Sequence, residues 1–198
     1  MINENFVILG AVIGFAGVIN YLIDVLKGKA KPNRVTWFLW ALAPLIAFSA
    51  QIKEGVGLQS LMTFTVGFNP LLVFLASFIS KKAEWKLTKF DFTCGALSLA
   101  GLTLWYFTQI GNIAIVFAIL ADGLAALPTV VKSYKAPESE SYWVYLSAAI
   151  NAGITLLVIK VWDFAHFGFP VYIFAVCVLL TVLIKFKLGK IISGFTSA

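Results

Sequence analysis

The stretch GVINYLIDVLKGKAKPNRVTW, Gly17 to Trp37, has a counterpart 106 residues further on, GLAALPTVVKSYKAPESESYW, Gly123 to Trp143. Gly17, Val25, Lys29, Ala30 and Trp37 fall on Gly123, Val131, Lys135, Ala136 and Trp143. Each copy leaves an apolar run, crosses a lysine-bearing turn with a proline, and enters the next apolar run at a tryptophan. Spacing of this kind is the mark of an internal repeat.

Working outward, a membrane span needs about 20 predominantly apolar residues. Seven stretches are read as spans: Phe6–Leu26, Val35–Ala50, Leu58–Ile79, Phe90–Phe107, Ile113–Val131, Ser141–Ile159 and Phe167–Phe186. Spans one to three and five to seven have the same layout, with a basic loop after the first span of each. An odd number of spans per half needs one extra helix to keep the halves parallel, and the fourth span supplies it. The expected fold is therefore an all-α membrane protein of seven transmembrane helices. It is read as two parallel three-helix repeats (residues 1–82 and 111–198) joined by a linker helix (83–110).

Composition agrees with that reading. The 198 residues are 61% hydrophobic and 12% charged, against about 45–50% and about 25% for a soluble domain. Thirteen of the 15 basic residues collect in alternate loops and at the C-terminus when the N-terminus is placed outside. They are Lys27, Lys29, Lys31 and Arg34; Lys81, Lys82, Lys86 and Lys89; Lys132 and Lys135; and Lys185, Lys187 and Lys190. Only Lys53 and Lys160 fall on the other side. Positive charge held inside is a topology signal, so the net charge of +6 is read as orientation, and nucleic acid is excluded as a partner. The expected location is the cell inner membrane, multi-pass, with the C-terminus cytoplasmic. The N-terminus lacks a positive leader region, so no cleavable signal peptide is expected. Cys94 and Cys177, both inside apolar runs, read as small packing residues.

The layout resembles the SWEET and PQ-loop superfamily. There the first helix of each half ends in Pro-Gln before a short basic loop that often holds Lys-Ser. Leu127-Pro128-Thr129-Val130-Val131-Lys132-Ser133 keeps the proline and the Lys-Ser, with Thr129 in place of Gln, while the first half has Leu22-Ile23. Lys31-Pro32-Asn33-Arg34-Val35-Thr36-Trp37 and Pro137-Glu138-Ser139-Glu140-Ser141 look like an uncharacterised bacterial branch of it. The resemblance implies a carrier of a small polar solute, sugar- or vitamin-like, alternating access between the halves. Bacterial nicotinamide riboside transporters share the 3+1+3 plan. The resemblance also implies substrate contact at Asn69, like a mid-membrane Asn on the family's third helix, and hinges at Pro44 and Pro128.

Polar residues inside apolar spans are costly and mark interiors or cavities. Trp143, Ser147, Asn151 and Thr155 recur at four-residue spacing along span six, a stripe suited to stacking on and hydrogen bonding a solute. Its packing alternative is hydrogen bonding to neighbouring helices. Thr65 and Asn69 stand one turn apart before Pro70, which frees a carbonyl. Trp40 lies deeper in span two than Trp37, and Trp37 reads as an interfacial anchor. Gly10, Gly14 and Gly17 form a small-residue face for close helix approach. The candidate substrate-binding residues are thus Trp40, Asn69, Trp143, Ser147 and Asn151. Asp122, midway along span five with Ala118, Ala125, Ala126 and Thr129 on its face, is the proton-coupling candidate.

Catalysis is not expected. Metal-ligand clusters, nucleotide loops and nucleophile–base pairs are absent from the sequence, and His166 lies beside Asp163 at the outer end of span seven. Asp24 and Asp122 lack the Tyr-Asp and Gly-x-Gly-Asp settings of intramembrane aspartyl proteases. No cofactor is expected; the expected partners are a small solute and the lipid bilayer, and a homo-oligomer is left open. The alternative from another class is a receptor or adaptor of the same fold that moves nothing.

Overall fold

The computed structural model describes residues 2–79, 85–108 and 111–190. Seven α-helices run through them: α1 (Phe6–Leu26), α2 (Arg34–Lys53), α3 (Ser60–Ala76), α4 (Lys89–Thr108), α5 (Gly111–Lys135), α6 (Tyr142–Val158) and α7 (Phe164–Lys185). One 3-10 turn, Pro137–Ser139, joins α5 to α6. No strand occurs among the described residues. Lys81, Lys82 and the repeat boundary at residues 82 and 83 lie outside them.

Local chemistry sets the helix ends. Gly28 at φ 71° turns the chain left-handed just beyond α1, the usual glycine stop. Asn33 caps α2 by accepting from the backbone amides of Val35 and Thr36. Its other side-chain atom donates to Asp91 Oδ1 at 2.7 Å, so one buried residue both starts α2 and tethers α4 to it. Asp163 caps α7 by accepting from the His166 amide. The His166 ring beside that carboxyl holds it below the usual carboxylate range.

Among the described residues, four stretches are long and apolar enough to cross a membrane: α1, α2, residues 115–135 of α5, and α7. The apolar helices α3 and α6 have 17 residues each, the lower end of the spanning range. The outward faces carry Val12, Ile19, Leu75, Phe92, Leu97, Leu157 and Leu179, all exposed. An apolar exterior of that extent is foreign to a water-soluble monomer. Tyr21, Trp37, Leu39, Met62 and Phe169 are fully buried between the helices.

The packing has a pattern. In the first half α1 packs on α3 and α3 on α2; in the second α5 packs on α7 and α7 on α6. The halves meet through α1 on α6 and α2 on α5. Exchanging α1, α2 and α3 for α5, α6 and α7 leaves these neighbours unchanged. Helix α4 stands outside the exchange, against α5 and α2.

Candidate functional site

Between the two halves lies a cavity of about 70 Å³, lined by residues from every helix except α4. A buried water needs at least roughly 10–15 Å³ and takes up about 30 Å³ in the liquid, so the space has room for about two. The lining runs from mid-helix, at Gly14, Asn69, Asp122 and Asn151, to the first turns of α2 and α6, at Trp37 and Val144. Aromatic and aliphatic side chains dominate the walls: Trp37, Trp40, Val66, Val144, Tyr145 and Ile173. The polar exceptions decide its chemistry.

Asp122 is 1% exposed. Its Oδ2 accepts from the Tyr172 hydroxyl at 2.6 Å, while Oδ1 has no partner. Small neighbours create this setting, since Ala118, Ala125, Ala126 and Thr129 are all buried around it and let other helices approach. The Trp40 indole donates to the Asp122 backbone carbonyl at 3.3 Å, and Thr36 Oγ1 donates to the Ala125 carbonyl at 2.8 Å. Helix α2 is thereby pinned along α5. A buried carboxylate without a cation beside it is costly, and the cost is relieved by a proton or by a bound cation.

On the facing side, Asn69 lines the cavity and its Oδ1 is buried without a partner. Asn151 donates to Thr65 Oγ1 at 3.1 Å, joining α6 to α3 across the halves. Helix α2 runs on through Pro44 and α3 through Pro70. An interior proline has no amide to give the carbonyl four residues earlier. Those carbonyls belong to Trp40 and Val66, both cavity-lining residues.

One end of the cavity is closed by a buried charge cluster. Lys132 Nζ meets Glu140 Oε1 at 2.6 Å with both side chains buried, and it also donates to the Lys31 carbonyl. Glu140 Oε2 accepts from Tyr21 at 2.7 Å and Tyr145 at 3.2 Å. The Lys132 ammonium lies 4.4 Å from the Trp85 ring centre. Tyr21 and Lys31 come from the first half, Lys132, Glu140 and Tyr145 from the second, so the cluster is a latch across the halves. Tyr21 packs on Trp37, Trp37 on Trp40 and Trp40 on Tyr145, with ring centres 4.8, 5.5 and 6.1 Å apart. These rings separate the latch from the cavity. At the opposite end the tie is lighter: Gln51 Nε2 donates to the Ala165 carbonyl at 3.1 Å.

Of the residues singled out from sequence, the structure gathers Trp40, Asn69, Asp122 and Asn151 around this space. Ser147 is placed elsewhere. It is buried against Gly17 of α1 and donates to the Val144 carbonyl. Trp143 faces outward, 53% exposed and stacked on Tyr142. The cause is helical geometry: four residues fall about 40° past a full turn at 3.6 residues per turn. A stripe from Trp143 to Asn151 therefore rotates off a single face. Trp37, read as an interfacial anchor, is 2% exposed and lines the cavity instead. Pro44 and Pro128 are buried within continuous helices. Cys94 and Cys177 are buried and unpaired.

Sequence reasoning missed Tyr145, Tyr172 and the latch. Only the burial of Glu140, whose position before α6 looks like an ordinary polar turn, reveals the latch. No protein-family model, no curated protein and no solved structure matches the chain.

Proposed function

We propose that the chain is a seven-span carrier of the cell inner membrane that moves a small polar solute, sugar- or vitamin-like, by alternating access. In this reading residues 1–82 and 111–198 are the two three-helix repeats and 83–110 the linker helix. The halves rock about the cavity, and the Lys132–Glu140 latch closes the cytoplasmic end. The observation that carries the proposal is the cavity itself. It lies between the halves, reaches from mid-helix to the first turns of α2 and α6, draws on six helices, and is lined by residues with partnerless buried oxygens at Asn69 and Asp122. The exchange symmetry of the helix neighbours supports the repeat, because carriers of this kind pair two repeats about one central site.

The latch suits alternation for a physical reason. Charged and hydroxyl groups that separate into water recover hydration, so opening that end costs less than exposing an equal apolar plug. Asp122 would hold the proton or the solute inside.

Orientation is tested by reporter fusions. A reporter after Gly55 is expected to read outside and one at Ala198 inside; a cytoplasmic signal at Gly55 contradicts the orientation. Water access is tested with single cysteines in a Cys94→Ala/Cys177→Ala background. Asn69→Cys and Asn151→Cys should react with a small aqueous thiol reagent at least several-fold faster than Leu75→Cys and Leu157→Cys, whose parent side chains are exposed on the apolar exterior. Equally slow reaction at all four positions means a closed bundle and replaces the carrier with the receptor or adaptor reading.

A further inference from the structure

We infer that the cavity selects a small organic cation with an ammonium head. This inference rests on the carrier reading and replaces its sugar-like solute with a cationic one. Three acceptors on residues that line the space, Asp122 Oδ1, Asn69 Oδ1 and Asn151 Oδ1, are buried without partners, against one such donor, Trp37 Nε1. Pro44 and Pro70 leave the Trp40 and Val66 carbonyls without their helical amides. Among the described residues, no Lys, Arg or His lines the cavity. Lys132, the buried cation at the latch, is already held by Glu140 and the Lys31 carbonyl.

Such a site wants a ligand that donates hydrogen bonds. A neutral polyol brings donors, yet it leaves the Asp122 carboxylate uncompensated. A protonated amine brings up to three donors and the missing charge. The apolar part of the wall fits the same ligand. Trp37, Trp40 and Tyr145 form one edge-linked aromatic series beside Asp122. A cation over aromatic faces gains most where water is excluded. At about 70 Å³, the space fits an alkylammonium of a few heavy atoms.

The same oxygens would attract an inorganic cation, so the test separates the two sources. Thermal midpoints of the purified full-length protein in detergent are compared in ethylammonium, sodium and potassium chlorides at equal ionic strength, and in xylose. Ethylammonium is expected to raise the midpoint progressively with concentration above the sodium and potassium values, as a ligand of the folded state does. Xylose is expected to leave it unchanged. Asp122→Asn should abolish the ethylammonium response. Asn69→Ala, which removes an acceptor that bonds to nothing, should weaken the apparent affinity roughly tenfold. It also serves as the informative variant should Asp122→Asn fail to fold.

Equal responses to sodium, potassium and ethylammonium would replace the organic cation with an inorganic one. A response to xylose alone would overturn the charge argument, and no response to any salt would overturn the site. The carrier reading fails separately, through the cysteine reactivities at Asn69 and Asn151. Reactive cysteines with no ethylammonium response sink only the cation.

Discussion

Glu140→Leu is expected to cost about 3–5 kcal/mol of stability, the range for removing one partner of a buried ion pair. The loss has a definite source. The Lys132 ammonium would remain buried with only the Lys31 carbonyl and the Trp85 ring, and the Tyr21 and Tyr145 hydroxyls would lose their shared acceptor. Adding Lys132→Met should recover most of the stability, since replacing both charges by apolar groups is often neutral or stabilising. A residual deficit from the two hydroxyls should remain. Thermal unfolding of the single and double variants in detergent checks this. If Glu140→Leu is as stable as the parent, Lys132 and Glu140 do not form the buried pair. Function should part from stability in the double variant. An apolar plug gains no hydration on opening, so solute exchange should slow although the protein stays folded.

Gly17→Ala is the second large effect. A methyl group there would overlap Ser147, whose Cβ lies 2.5 Å from the position it would take, with the Trp143 carbonyl at 3.3 Å. A side-chain Cβ moves only with its backbone, so α1 and α6 must separate. Overpacking of this sort costs about 1–3 kcal/mol. Ser147→Gly removes the obstacle, and the double variant Gly17→Ala/Ser147→Gly should regain most of the loss. Gly123, which aligns with Gly17 in the sequence, should behave differently. A methyl group there meets only the Tyr172 ring and hydroxyl, at 3.7–3.8 Å, an ordinary contact. Gly123→Ala is therefore expected to be tolerated, and the added helix propensity favours it by up to about 1 kcal/mol. Equal thermal midpoints for Gly17→Ala and Gly123→Ala would contradict the tight α1–α6 crossing.

These two cases show what the sequence made legible. Helix positions were readable because apolar runs broken by charged turns leave few alternatives: Phe6–Leu26 matches α1 at both ends. Helix α7 begins at Phe164, three residues before the expected start, because Asp163 supplies a cap. Helix α5 runs on to Lys135, since lysines suit a helix C-terminus as well as a loop. Asn69, Asp122 and Asn151 stood out because polar groups are costly in apolar spans, and all three line the cavity. Ser147 and Trp143 did not join them, because side-chain direction drifts along a helix and depends on which neighbour arrives. In the sequence Lys132 reads as a topology charge, and its burial against Glu140 exists only once α1, α5 and α6 come together. Gly17 and Gly123 align in sequence, yet only the former lies against another helix's Cβ.

The central claim is that one cavity between two halves is reached alternately from the two sides of the membrane. Its most direct test is the sidedness of Asn69→Cys in the cysteine-free background. Reaction with a membrane-impermeant thiol reagent is measured in sealed vesicles of both orientations, with and without Glu140→Gln. The account predicts that Asn69→Cys reacts from both sides. Glu140→Gln, which weakens the latch, should raise the rate from the cytoplasmic side and lower it from the other. Reaction from one side only, at a rate unchanged by Glu140→Gln, would contradict alternating access and leave a fixed pocket open to a single compartment.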